Sequence, residues 1–456
     1  MTAVKVLFAR AMLLLGMLCW PMAQPWAQGI SLLSDAETEW FIKQMMAPIL
    51  EQARVSPNSV NYYIVNDDNL NAFVAGGQNI FVHTGLFTQT KNVGQVVGVL
   101  AHETGHISGA HLAGRRDGAG APTAITLASM LLGVAAIAAG SADAGIGIIA
   151  GGQQAATRSF FSFTRVQEAS ADQAAARFLE GAEMSGRGLV ETFRGFSTQE
   201  YLIGVPQDPY VRTHPLSSQR VAALENLVMN SEHYDKPFPA AWQYYYERVV
   251  GKIQGFGQPF EATLRQFPKS DSTEKARYER AYAYHKAADI DNSMTEIDEL
   301  LKIRSDDPYY LELKGQLMFE NGQVEAALTP LRKAHKAAPD EAQILTLLGR
   351  ALIASDNPDH LNEAIKTLEL STFLAPDNPF TWYQLSIAYN QTEQVGKASL
   401  ATAERYALIG QFGPAVQNAQ RAAQMLDAGS PKWLRAQDLL FLAQQSLQQQ
   451  NRRSRR

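Results

Sequence analysis

His102-Glu103-Thr104-Gly105-His106 constrains this chain more than any other five residues. On an α-helix, side chains four apart stand one above the other, so His102 and His106 share a face and both imidazoles reach one point. That spacing suits Zn²⁺, which takes histidine nitrogen at about 2 Å and, in catalytic sites, keeps three protein ligands and one open position. Glu103, beside the first histidine, carries a carboxylate able to take a proton from a water activated there, the general-base step of peptide hydrolysis. The competing reading is a solvated helix face with the same residues by coincidence, and only a third ligand separates the two.

A third histidine six residues after the second would close a known type of site, but that position is Leu112. His111 stands five residues from His106, and five residues turn an α-helix by about 140°, so it faces away and reads as structural. Much further on, Glu168 and Asp172 are again four apart and share a helical face. Glu168 is the expected third ligand. Asp172, one turn away, is placed to accept the other ring N–H of a ligand histidine and so fix its tautomer and orientation.

With these residues in view, the chain resembles the M48 zinc metallopeptidases. The resemblance rests on His102 to His106, on Glu168 with Asp172 some sixty residues later, and on Asn71-Ala72-Phe73-Val74-Ala75-Gly76-Gly77 with Ile80-Phe81-Val82 and Gly85-Leu86; it spans roughly Ser34 to Leu224. It implies one zinc ion per chain. It also implies that the strand through Ile80, Phe81 and Val82, after Gly77, lies along the cleft edge and binds an extended substrate by strand addition. From the residues alone, a buried core strand reads equally well. His214-Pro215, followed by Arg220, is a further feature shared with the family. Two roles stay open for His214. On a Pro-bounded loop it could occupy the fourth metal position and displace water. Alternatively His214, or Arg220, could donate to the oxyanion that develops during hydrolysis.

The start of the chain reads as an export signal over 1–27. Lys5 and Arg10 precede an apolar core, Ala11 to Trp20, too short to span a bilayer, and Ala23 or Ala27 offers a cleavage position. Removing it removes Cys19, the single cysteine, which leaves no thiol for catalysis and no disulfide. Forty basic and 45 acidic residues give a net charge of −5, which supplies no basic field for nucleic acid. Ser34 to about Val55 carries a helical apolar rhythm expected to pack on the catalytic helix, and Val60 to Val65 alternates like a strand. Ala121 to Ala150 is apolar and uncharged up to Asp143. It reads as a helical hairpin over the cleft touching a client or the membrane surface, with a membrane span as the alternative, since the family includes integral membrane proteins.

From about Lys275 the pattern changes to helix pairs. Gly315, Ala327, Leu331, Ala334 and Pro339 keep tetratricopeptide-repeat spacing, with Leu for Phe; Gly349, Ala364, Leu368 and Pro376 repeat it around an insertion near Asp356 to His360, and Trp382, Leu385, Tyr389 and Ala398 begin a third unit. Such pairs bury their faces only by stacking into a solenoid, whose inner face binds protein. The expected fold is therefore α+β, a mainly helical zincin-type metallopeptidase domain with a small sheet, followed by an all-α solenoid. Expected boundaries are 28–255 for the peptidase, 256–274 for a linker, 275–450 for the repeats and 451–456 for a basic tail. The resemblance implies a periplasmic endopeptidase acting on unfolded or misassembled envelope proteins, with the repeats docking on outer-membrane assembly machinery. A chaperone or scaffold with little peptidase activity is the alternative.

Overall fold

The computed structural model describes residues 32–75, 78–109, 165–197, 214 and 216–454. The export signal with Cys19, Gly77, His111 and the apolar stretch 121–150 lie outside these residues.

Helix α1 (Ala36–Gln52) starts at Asp35, whose carboxylate accepts from the Thr38 amide and caps the helix. Its apolar rhythm, Phe41, Ile42, Met45, Met46 and Ile49, is fully buried. It packs against α3 (Val93–Ser108), the helix that carries the two histidines, as the sequence predicts. Beside them stand α2 (Thr84–Gln89) and a sheet of β1 (Leu32–Leu33), β2 (Asn61–Val65), β3 (Ala72–Ala75) and β4 (Asn79–His83) in the order β1-β2-β4-β3. β2 and β4 are parallel and the other pairs antiparallel. Strand alternation sends Tyr62, Ile64, Ile80, Val82, Ala72 and Val74 into the core. On the other face, Phe73 and Tyr63 stack on Phe81 at 5.0 and 5.1 Å between ring centroids.

This order corrects the expected edge strand. Ile80, Phe81 and Val82 lie in β4, whose backbone is paired by β2 on one side and β3 on the other, so no strand can add there. The outer strand beside the histidine helix is β3.

α3 is buried all round from Val93 to His106, the signature of a core helix. Two helices approach it closely because glycine leaves room. A Cβ on Gly105 would lie 2.7 Å from the carbonyl oxygen of Ala171, in helix α4 over residues 165–181, and a Cβ on Gly98 would lie 2.6 Å from the Leu189 amide, in α5 (Arg187–Ser197). α6 (Ser218–Met229) packs on α5.

The repeat half consists of the pairs α9 (Glu274–Lys286) with α10 (Ile290–Ile303), α11 (Pro308–Glu320) with α12 (Val324–Ala337), α13 (Ala342–Ala354) with α14 (His360–Leu374), α15 (Pro379–Gln391) with α16 (Val395–Leu408), and α17 (Phe412–Met425) with the terminal α18 (Pro431–Ser454). Leu331 and Leu368 fill the space a Cβ on Gly315 and Gly349 would need, each as close as 2.5 Å, which is why glycine stands at those two positions. α18 continues to Ser454, so the basic tail begins as helix.

Two further helices, α7 (Ala240–Gly257) and α8 (Phe260–Gln266), join the halves. α7 contributes Val249 to the peptidase core and packs along α9. At this junction Glu37 of α1 is fully buried, 2.6 Å from Arg248 Nε and 3.2 Å from Lys252 Nζ, and accepts from the Tyr278 hydroxyl at 2.6 Å. Arg248 also reaches Asp307 at 2.5 Å, and Trp40 packs on Tyr309. Buried charges at such a join fix one arrangement, because removing either partner strands the other, at about 3–5 kcal/mol. Among the described residues no helix is long and apolar enough to cross a membrane.

Candidate metal centre

α3 starts at Asn92, whose side chain accepts from the Gln95 amide, and its helical spacing stacks His102 over His106 with 4.8 Å between ring centroids. The small residues Gly105 and Ala171 let α4 approach, and this brings Glu168 opposite the histidines. His214, ahead of α6, completes the group; all four side chains are buried. Their donor atoms lie within 4.8 Å of one another.

The separations test whether a metal fits. His102 Nε2 is 3.2 Å from His106 Nε2, 3.3 Å from His214 Nδ1 and 3.2 Å from Glu168 Oε2. His106 Nε2 is 3.4 Å from Glu168 Oε1, and His214 Nδ1 is 3.1 Å from Glu168 Oε2. Ligands about 2.05 Å from one metal ion stand about 3.3 Å apart, so these contacts are of the size that a bound ion needs, and three imidazoles with a carboxylate are a donor set that suits zinc.

Charge in the pocket follows the same plan. Burial alone would raise the Glu168 carboxyl, but the charge of His214 and hydrogen bonds from His102, His106 and His214 hold it well below the usual carboxylate range. Burial, with repulsion from the neighbouring rings, lowers His106 to about 3 against a hydrogen bond to Glu168, so its imidazole is neutral and ready to ligate. Burial likewise opposes charge on His102, yet the Asp172 and Glu168 carboxylates raise it to about 10. A cation binding there must expel the His102 proton.

The sequence-predicted residues converge. His102 Nδ1 faces Asp172 Oδ1 at 3.0 Å, as expected of an orienting carboxylate. Arg220 forks onto that same carboxylate through Nε at 2.7 Å and a terminal nitrogen at 2.8 Å, and lies 3.4 Å from Glu168 Oε2. Glu103 is fully buried, its Oε1 3.4 Å from His214 Nε2. Phe193 of α5 went unnoticed in the sequence. Its ring meets His102 edge-on at 5.7 Å and carries the Arg220 guanidinium at 5.5 Å, and no local motif marks it.

Residues 36–228 match the model of peptidase family M48. The chain carries an M48 peptidase domain. It is similar over most of its length to the beta-barrel assembly-enhancing proteases of Yersinia pestis (26% identical over 410 residues, 88% of this chain and 82% of that one) and Escherichia coli strain K12 (23% identical over 402 residues, 88% and 81%). At 88% of this chain, the similarity extends beyond residues 36–228. Solved structures similar to part of the chain include MamA from Desulfovibrio magneticus RS-1 (18% identical, 40% of this chain and 97% of that chain, TM-score 0.29) and the tetratricopeptide-repeat protein YrrB (13%, 46% and 95%, TM-score 0.30).

Proposed function

We propose that this M48 chain is a zinc endopeptidase of the periplasm that acts on unfolded or misassembled envelope proteins and docks on outer-membrane assembly machinery through its repeats. The observation that carries the reading is the buried cluster of His102, His106, Glu168 and His214, its donor atoms within 4.8 Å of one another, with Glu103 beside them. Three nitrogens and one carboxylate oxygen are donors suited to Zn²⁺. When bound, zinc polarises the substrate carbonyl and lowers the pKa of water.

The rest is done by the chain. The Glu103 carboxylate takes the proton of the attacking water and returns it to the leaving amide nitrogen. Asp172 and Arg220 hold the His102 ring in one tautomer and orientation. β3, as the outer strand next to α3, offers backbone groups to an extended substrate, which reads main chain more than side chains. His214 would hold the fourth metal position at rest and yield it to substrate.

Export rests on the amino-terminal signal pattern, and the client class on likeness to proteins named for β-barrel assembly. The test is capture: Glu103→Gln expressed in cells should hold uncleaved envelope proteins that crosslink to the repeat half. A variant fractionating with the cytoplasm, or capturing no envelope protein, overturns the reading.

A further inference from the structure

Two arginines of the solenoid stand between aromatic rings and make no ion pair among the described residues. The Arg350 guanidinium of α13 lies 5.2 Å from the ring centroids of both Phe319 in α11 and Phe380 in α15. The Arg405 guanidinium of α16 lies 4.7 Å from Tyr383 and 5.4 Å from Tyr406. Tyr383 follows Phe380 by three residues on the same helical face, so the two sandwiches adjoin. Phe380 and Tyr383 are 43% and 40% exposed. Glu320, which senses the charge of Arg350, is already bonded to His285 and Gln316, each at 2.8 Å.

Helical spacing places this surface. Phe319 stands seven residues after Glu312, and Arg350 seven after Gln343, so each shares a face with the earlier residue two turns away. Glu312 lies within the field of Lys252, and α13, which carries Gln343, packs on α1 of the peptidase half. The sandwiches therefore continue the face of the solenoid on which the peptidase domain is already seated. Asp377, three residues before Phe380, accepts from the Tyr63 hydroxyl at 3.2 Å, so the run begins where the solenoid meets the aromatic face of the sheet.

We propose that this run, Phe319, Arg350, Phe380, Tyr383, Arg405 and Tyr406, is a docking site for an extended polypeptide carrying acidic residues flanked by aromatic ones. The argument is complementarity together with continuity. A guanidinium stacked on rings is fixed in plane and keeps its N–H edge for a carboxylate, while exposed rings between the two arginines accept apolar side chains. With a net charge of −5 the chain supplies no basic field for a continuous phosphate backbone, whereas two separate guanidiniums suit isolated carboxylates. The proposal adds a client feature to the peptidase reading, but its test needs no hydrolysis.

The probe is a labelled peptide of roughly a dozen residues, which at about 3.3 Å per residue spans neighbouring repeats, with Phe-Asp-Phe units, and a sibling with Asn for Asp. Binding is read by fluorescence anisotropy on the full chain bearing Glu103→Gln. Arg350→Glu, Arg405→Glu and Phe380→Ala should each weaken the Asp peptide by about tenfold or more, and Arg350→Glu should bind both peptides alike. With Glu103 intact, Arg350→Glu should leave zinc content and hydrolysis of a short peptide unchanged. Arg350→Lys, which keeps the charge but not the planar stack, should fall between and guards against misfolding. Equal binding of the two peptides by the unaltered surface, undiminished binding by Arg350→Glu, or a single-stranded oligonucleotide displacing the peptide would overturn the assignment. A change of oligomeric state in Arg350→Glu without loss of peptide binding would do the same. Absence of hydrolysis with intact binding would instead fault the peptidase reading alone.

Discussion

His102 Nδ1 and Asp172 Oδ1 lie 3.0 Å apart, and the other oxygen of that carboxylate receives Arg220 Nε at 2.7 Å. Burial pushes the Asp172 carboxyl up, but hydrogen bonds from His102 and Arg220 bring it below its usual range, so the orienting group keeps its charge. Asp172→Asn should reduce metal affinity or turnover by about 10- to 100-fold while preserving shape. Arg220→Ala strands Asp172 as a buried charge and should cost about 3–5 kcal/mol of stability. Chemical denaturation beside metal titration separates the two. A loss of turnover in Arg220→Ala without loss of stability would move Arg220 from orienting Asp172 to serving the oxyanion.

Glu103 and Glu168 divide the work of two carboxylates on facing helices. Glu103→Gln should keep stoichiometric zinc and lose about 10²- to 10⁴-fold or more in hydrolysis, because it removes a base and no ligand. His102→Ala, His106→Ala and Glu168→Ala should lose the metal. Elemental analysis of the purified variants decides this, and full occupancy in Glu168→Ala would remove that residue from the coordination set.

Much of the site was legible because its chemistry is periodic. Four-residue spacing on two helices named His102, His106, Glu168 and Asp172, and the fold adds only the approach that Gly105 permits. Pairing order was not legible: a short apolar run such as Ile80 to Val82 looks alike in an outer or an inner strand, and long-range hydrogen bonds to β2 and β3 decide. Arg220 shows a similar limit. Its nearness to the site was expected, but a fork onto Asp172 depends on how α6 lies against α4, which no local spacing encodes. The charged junction of Glu37, Arg248 and Lys252 was hidden for the same reason, since Glu37 stands more than two hundred residues before its two partners.

That junction makes stability depend on pH. Burial, helped by the nearby Asp35 and Glu37 and opposed by Lys252, raises Glu312 to about 8, and burial raises Glu39 to about 7, both from 4.5. Folded protein thus holds protons that the unfolded chain has released between about pH 5 and pH 8. The stabilisation from these two groups is complete below pH 4.5 and is lost as pH rises through 7 and 8. Asp35, lowered below 3.8 by Lys252 against the effect of burial, acts in the opposite sense but only in more acidic solution. Thermal unfolding should give a midpoint that falls from pH 5.5 to pH 8.5, by about the same course in each buffer, and Glu312→Gln should flatten it. An unchanged slope in that variant would exclude Glu312 as its source.

His214 regulates the centre if its Nδ1, 3.3 Å from His102 Nε2 and 3.1 Å from Glu168 Oε2, is a ligand at rest. A fourth protein ligand would close the position that water and substrate need, and so would restrain hydrolysis at rest. It also stands where it can let go: His214 precedes α6, whereas the other three ligands sit within α3 and α4. His214→Ala should then keep zinc, with some loss of affinity, and raise proteolysis of unfolded protein and of the chain itself. The opposite outcome has its own meaning. His214 Nε2 lies 3.4 Å from Glu103 Oε1, close enough to the reacting groups that a role in stabilising the oxyanion would show as a fall in turnover of about 10²-fold or more. Metal affinity separates the cases, since removing His214 lowers it if the residue is a ligand and leaves it in place if the residue serves the oxyanion. His214→Ala with unaltered zinc affinity and lower turnover would assign the residue to the transition state, and unaltered values of both would leave it as part of the pocket wall.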